Sequence, residues 1–155
     1  MNSPTRPPRP QTTPATFSDL IAQNAAERAD TPAMLFEDQS FTYAQMSARA
    51  NQTAHALIAA GIVPGDRVCH IGKNDPRYFD VLGGCARSGA VLSPISWRLA
   101  PPEMSDLVND FDIRLVFLSE EMAHVADHLR TNCPGLTQII GVDTAMSDTP
   151  GFDDW

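Results

Sequence analysis

Gly84-Cys-Ala-Arg-Ser-Gly89 has the G-x-x-x-x-G spacing of a phosphate-binding loop. Such a loop needs a lysine next, to meet the β- and γ-phosphates, and then a hydroxyl residue to hold magnesium. Ala90-Val91 stands there instead. The glycines therefore read as residues that end a helix and let it pack closely on a strand. No G-x-G-x-x-G occurs, so a dinucleotide fingerprint is missing. His124 and His128 lie four apart with Asp127 between them, giving H-x-x-D-H. A zinc site needs both rings on one helix face and a third ligand, and the related peptidase pattern has Glu at the Asp127 position. Solvent-facing histidines beside an apolar stripe are the plainer reading. Cys69 and His70 are neighbours in a predicted strand, where successive side chains point to opposite faces, so they cannot form a nucleophile–base pair. No G-x-S-x-G is present for a serine nucleophile. Asn51-Gln-Thr53 has the spacing of a glycosylation acceptor but falls mid-helix in a chain with no secretory signal. Lys73, the chain's only lysine, follows a strand at a place where open sheets often carry active-site loops. A solvated loop lysine is the plainer reading. Trp97 and Trp155 read as packing or loop residues.

Composition narrows what those residues can serve. The chain has 155 residues, one domain's worth, with 43% hydrophobic and 19% charged positions. Nineteen acids against 11 bases give a net charge of −8. That balance argues against a general nucleic-acid partner or an anionic membrane surface. No run of about 18 apolar residues exists to span a bilayer. Cys69, Cys85 and Cys133 show no C-x-x-C spacing, and an odd count fits a reducing compartment. The expected location is the cytoplasm.

The elements that must position these residues alternate. Residues 1–16 hold Pro4, Pro7, Pro8, Pro10 and Pro14 and no acid, and they are expected to be a disordered, extended leader. Thr16 and Asp19 suggest a capping box, followed by Phe17, Leu20, Ile21, Asn24 and Ala25 at helical spacing. Ala33–Glu37 and Ser40–Thr42 predict two short strands around Asp38-Gln39. Met46, Ala50, Ala54, Leu57 and Ile58 make the stripe of a helix stopped by Gly61. Arg67–Ile71 predicts a strand, and Asp75-Pro76 starts a helix ending near Gly89. Ala90–Leu92 predicts a short buried strand. A helix opens at Leu99-Ala-Pro-Pro-Glu103, and Arg114–Leu118 is a strand. Ser119 is expected to cap a helix with Glu120 and Glu121 in its first turn. Cys133-Pro134-Gly135 ends that helix, and Gln138–Val142 is the last strand. Leu115–Leu118 and Ile139–Val142 are apolar on both alternations, as strands buried on both sides are. The pattern predicts an α/β fold, a mostly parallel sheet with helices on both faces. Residues 17–142 carry it, and the acidic stretch 143–155, with Pro150-Gly151, reads as a loop.

Several blocks in order resemble a family. They are Phe41-Thr-Tyr-Ala-Gln-Met46, then Asn51, Ala54, Leu57, Gly61, Gly65-Asp66, Val68 and Asn74. Arg87-Ser-Gly-Ala-Val91, Pro94, Trp97-Arg-Leu99 and Glu103 follow. This succession, from about Phe17 to about Glu120, resembles the start of the adenylate-forming acyl-CoA synthetases, or AMP-binding enzymes. The resemblance implies that Thr42 caps a long helix and Tyr43 anchors its start. Gly89-Ala-Val-Leu-Ser-Pro-Ile-Ser-Trp-Arg-Leu99 is similar to a run of the acyl-CoA branch, with Ser96 where asparagine is usual. The fold implied is an incomplete N-terminal portion of the synthetase large domain.

The implied activity is acid–CoA ligation. A carboxylate attacks the α-phosphate of ATP to give acyl-AMP, and a thiol, usually that of coenzyme A, displaces AMP. ATP, Mg2+ and coenzyme A would serve the full-length enzyme, on a fatty or aryl acid substrate. The family's catalytic motifs are expected beyond Trp155, so no catalytic, cofactor-binding or metal residue is assigned here, and the fragment is expected to be inactive. A non-catalytic binding or scaffolding module derived from such an enzyme is the alternative, and an unrelated flavodoxin-like domain a third. Oligomeric state stays open, a homodimer included. A parallel sheet interrupted in mid-domain would expose apolar faces, so the isolated chain is expected to be marginally stable or aggregation-prone.

Overall fold

A computed structural model describes residues 15–143 and 149–155. The leader expected over 1–16 falls almost wholly outside the described residues. Helix α1 (Phe17–Glu27) starts on the expected capping box. Thr16 Oγ1 accepts from Asp19 N–H, and Asp19 Oδ2 accepts from Thr16 N–H, both at 3.1 Å. Its buried face is Ile21 and Asn24, while Phe17 and Leu20 stay exposed. Strands β1 (Pro32–Phe36) and β2 (Gln39–Thr42) pair antiparallel as a separate two-stranded hairpin. The turn is Glu37-Asp38 and not Asp38-Gln39, because Gln39 pairs with Phe36 and Glu37 takes the positive φ of 51°.

Helix α2 (Tyr43–Ala59) begins on a second capping box, between Thr42 and Gln45. Ala50, Thr53, Ala54 and Leu57 form its buried face, whereas Ile58 is 57% exposed and lies outside the stripe. Strand β3 (Arg67–Ile71) leads through Asp75, whose Oδ1 accepts from Arg77 N–H at 2.7 Å, into α3 (Pro76–Ser88). Gly89 closes α3 at φ 81°, a left-handed cap that favours glycine. Strand β4 (Val91–Leu92), helix α4 (Pro101–Asp110) and strand β5 (Ile113–Leu118) follow. Val91 is 46% exposed instead of buried, because among the described residues β4, a strand of two residues, pairs only with β3.

Past Ser119 the chain makes a 3-10 segment, Glu120–Val125, before α5 (Ala126–Asn132) and β6 (Gln138–Gly141). Ser119 does not cap. Its side chain is buried, and Asp143 Oδ2 accepts the Glu120 N–H instead, at 2.9 Å. The strands run parallel in the order β4-β3-β5-β6. Alternation along β3 and β5 splits the core. Cys69, Ile71, Val116 and Leu118 face α4 and α5, while Val68, Leu115 and Phe117 face α2 and α3. The predicted α/β architecture is thus present, with a parallel sheet covered on both faces.

Within the acidic stretch 143–155, residues 144–148 lie outside the described set. Residues 149–155 run beside β6. Gly141 bridges Gly151, Gly141 N–H donates to Pro150 O, and Phe152 N–H donates to Gly141 O. Phe152 and Trp155 set their rings edge-on to Phe117, at 5.8 and 5.5 Å. Gly83 and Gly84 serve a close approach of α3 to α2, helix on helix and not helix on strand. A Cβ at Gly83 would stand 2.7 Å from Ala50 Cβ, and one at Gly84 would stand 2.6 Å from Thr53 Cγ2.

Candidate functional site

In an open parallel sheet the strand loops converge at the carboxyl ends, and a crevice opens where neighbouring strands leave toward opposite faces. Here that place lies between β3 and β5. Strand β3 continues to α3 on one face, and β5 to the 3-10 segment and α5 on the other. The loop Gly72-Lys73-Asn74-Asp75 leaves β3 there, and Ser119-Glu120-Glu121 leaves β5.

The crevice is narrow and polar. A Cβ at Gly72 would lie 2.8 Å from Ser119 Oγ and 3.1 Å from His70 Cε1. His70 points to the α3 face, edge-on to Tyr78 at 5.3 Å, away from Cys69 as strand alternation requires. His70 Nε2 and Ser119 Oγ are both buried and have no hydrogen-bond partner among the described residues. Burial holds the His70 imidazole below the ordinary histidine pKa, with the Asp75 and Asp143 carboxylates opposing that shift. Lys73 Nζ reaches Glu121 Oε2 at 2.7 Å and sits 5.1 Å from the Trp97 ring centre. That exposed pair bridges the two loops and contributes little stability.

The other sequence candidates fall elsewhere. Gly84 lies inside α3 with its Cα turned to Thr53, so no loop cradles a phosphate there. His128 is within 3.2 Å of Ser105 Oγ, and His124 is solvent-exposed. Among the described residues no group of three His, Cys, Asp or Glu side chains could hold a metal ion. Burial pushes the Cys69 and Cys85 thiols up to about 12, which removes them as nucleophiles at neutral pH. No described helix is long and apolar enough to cross a membrane. The described residues therefore do not fit ATP phosphates or a divalent ion.

The ordered blocks of the sequence work as packing devices. Arg87 donates to Ser47 O, Ser47 Oγ and Asn51 Oδ1, tying α3 to α2. Gly65 N–H donates to Gly89 O, and Val91 N–H to Asp66 O, locking the turn before β3 against the end of α3. Glu103 Oε2 accepts from Ala100 N–H at 2.8 Å and starts α4. Arg49 Nε bonds Asp80 Oδ2 at 2.7 Å, a contact 31 residues apart that local spacing gives no means to read. The Gly72–Ser119–His70 meeting was also beyond local reading, since it exists only once β3 and β5 pair.

Comparison with known proteins adds lineage to this geometry. The family model described as AMP-binding enzyme matches residues 21–153. A fatty acid–[acyl-carrier-protein] ligase, ScoC, of Streptomyces coeruleorubidus is 42% identical over 126 residues, covering 81% of this chain and 24% of that protein. The long-chain-fatty-acid–CoA ligase FadD13 of Mycobacterium tuberculosis is 40% identical over 126 residues, covering 75% of this chain and 25% of that protein. A solved structure of a Mycobacterium tuberculosis fatty acyl CoA synthetase superposes with a TM-score of 0.78 at 34% identity, over 83% of this chain and 26% of that one. The chain thus spans about a quarter of the length of the curated relatives it matches.

Proposed function

The chain belongs to the AMP-binding enzyme family, as an N-terminal part of an adenylate-forming synthetase, and from that premise we propose the activity of the whole protein. It is an ATP-dependent ligase that activates a carboxylic acid as its acyl-adenylate and passes the acyl group to a thiol. The observation that supports this is the match over residues 21–153, together with two relatives above the 40% mark or at it that are both ligases of fatty acids. A fatty acid is accordingly the proposed substrate, with an aryl acid as the comparator. One relative is named for an acyl carrier protein and the other for coenzyme A. Both acceptors belong in the test. Mg2+ is the proposed divalent metal, and the cytoplasm the proposed location. Nucleotide and metal would be held outside the residues described here, which supply the scaffold. That scaffold is a rigid sheet whose central strands end at a loop crevice.

The assay is acid-dependent pyrophosphate release by the whole protein, followed by thioester formation with coenzyme A and with a carrier protein. Release only when a fatty acid is added supports the ligase. A whole protein that folds and releases no pyrophosphate with any fatty or aryl acid overturns it in favour of a non-catalytic module. The 155-residue chain alone is expected to release none.

A further inference from the structure

Among the described residues, three buried side-chain atoms lack a hydrogen-bond partner: His70 Nε2, Ser119 Oγ and Arg77 Nε. All three border one short loop, residues 72–75. His70 lies beneath it, with Cε1 3.1 Å from where a Cβ would stand on Gly72. Ser119 faces the same point from the end of β5, with Oγ at 2.8 Å. Arg77 follows the loop in the first turn of α3. His70 is 3% exposed and Ser119 6%, enclosed by this chain's own residues. A segment packed over the loop therefore cannot reach either atom to supply the missing partner. Each orphaned group costs its desolvation for as long as the loop stays shut. Burial disfavours the charged form of His70, so a neutral imidazole lies under the loop.

Little holds the loop down. Among the described residues, no backbone hydrogen bond outside the strands and helices engages Gly72, Lys73 or Asn74. The clasp is Lys73 Nζ on Glu121 Oε2 at 2.7 Å, with side chains 58% and 40% exposed. Lys73 Nζ also lies 5.1 Å from the Trp97 ring centre. An exposed ion pair and one exposed cation–π contact return less than two buried, unmade hydrogen bonds cost. The ends of the loop are firmer. Ile71 O accepts the Ser119 N–H at 3.0 Å, and Asp75 caps α3 through the Arg77 N–H.

We propose that residues 72–75 are a strap across the crevice between β3 and β5, clasped by Lys73 and Glu121, which lifts while the sheet stays folded and brings water to His70 and Ser119. Opening turns a closed crevice into one floored by an imidazole and a hydroxyl. The two orphaned groups drive the strap open, and the clasp draws it shut. This device is built from buried residues of the chain itself and does not rest on the ligase reading.

The test is carbethoxylation of the whole protein by diethyl pyrocarbonate at neutral pH, mapped on peptides by mass spectrometry. The reagent takes a neutral imidazole that solvent can reach. His55 and His124 are exposed and give the fast reference rates. His70 is expected to react more slowly than these, at a rate that does not change between zero and about 1 M urea, because lifting a strap exposes little surface. Ser119→Ala removes one of the orphaned groups and should slow His70 about fivefold. Lys73→Gln removes the clasp and should speed it about threefold. Raising NaCl to about 0.5 M should speed it in the unaltered protein as well, by screening the same exposed pair. His55 and His124 should keep their rates throughout. A His70 that reacts only as the protein unfolds, with a rate that climbs with urea, would overturn the proposal. So would a Ser119→Ala protein whose His70 reacts as fast as the parent's or faster, or a His70 rate indifferent to both Lys73→Gln and salt.

Discussion

Replacing Gly83 by alanine should destabilise this chain, although the same change in an exposed helix interior would stabilise it. Gly83 lies inside α3, where alanine gains about 1 kcal/mol of helix propensity. The new Cβ would stand 2.7 Å from Ala50 Cβ. Carbon atoms rest at roughly 3.5 Å or more, so α2 and α3 would have to part by about 0.8 Å at their contact. Overpacking of that kind costs about 1–3 kcal/mol, which leaves a net loss of roughly 1 kcal/mol. Ala50→Gly alone should cost about 2 kcal/mol, from lost propensity and one buried methyl. In the double variant Gly83→Ala/Ala50→Gly the methyl merely changes helices, so stability should return to within about 1 kcal/mol of the parent. The coupling is then about 2 kcal/mol, inside the range for residues in contact. Urea unfolding followed by circular dichroism gives all four corners of the cycle. Gly83→Ala more stable than the parent, or effects that add within about 0.5 kcal/mol, would refute the close-approach argument.

Other perturbations follow from the same contacts. The His70 pKa is lowered by burial, so the unfolded chain takes up the proton first. Stability is then full above about pH 6.5 and falls as pH drops through that value toward the folded pKa. The urea midpoint of the parent should therefore drop on acidification more than that of His70→Leu, and parallel pH profiles would contradict this. Cys69, Cys85 and Cys133 are all buried, so a thiol reagent at pH 7.5 should modify the native chain far more slowly than the urea-unfolded chain. Rapid native labelling of any one of them would show that its surroundings open. Arg87→Lys keeps the charge but loses the fork onto Ser47 and Asn51, at an expected cost of about 1–2 kcal/mol. An unchanged unfolding midpoint would mean that the α2–α3 tie contributes nothing.

Elements closed by local chemistry were legible in the sequence. Asp75, Pro76 and Gly89 define α3 because a cap, a first-turn proline and a left-handed stop each act within a few residues. Thr16 and Thr42 start α1 and α2 for the same reason. Legibility failed where a distant strand decides. Ser119 has the composition of a helix cap, yet its hydroxyl is drawn under Gly72 once β5 pairs with β3, and Asp143 takes over the exposed N–H. Val91 reads as core but lands on an edge, since nothing in its neighbours says that β4 has a partner on one side only among the described residues. The blocks that carried the family resemblance did so because packing fixes them. Arg87 and Asn51 meet across two helices, and Gly65 meets Gly89 across a turn. The crevice between β3 and β5 could be expected from topology alone, while its polar lining required the register.

The sheet order also sets a timetable on the ribosome. Strand β3 ends at Ile71, but its second neighbour, β5, begins only at Ile113. Those 42 residues take about 2–8 s to synthesise at ordinary elongation rates. During that interval the hairpin, α1, α2 and α3 can already assemble through the Gly83–Ala50 contact and the Arg87 tie. The Cys69–Ile71 side of β3, however, waits bare for α4 and Val116. A nascent chain of this protein thus passes through a stage with a strand edge open to any neighbouring polypeptide. Slow codons placed between Ile71 and Ile113 would lengthen that exposure.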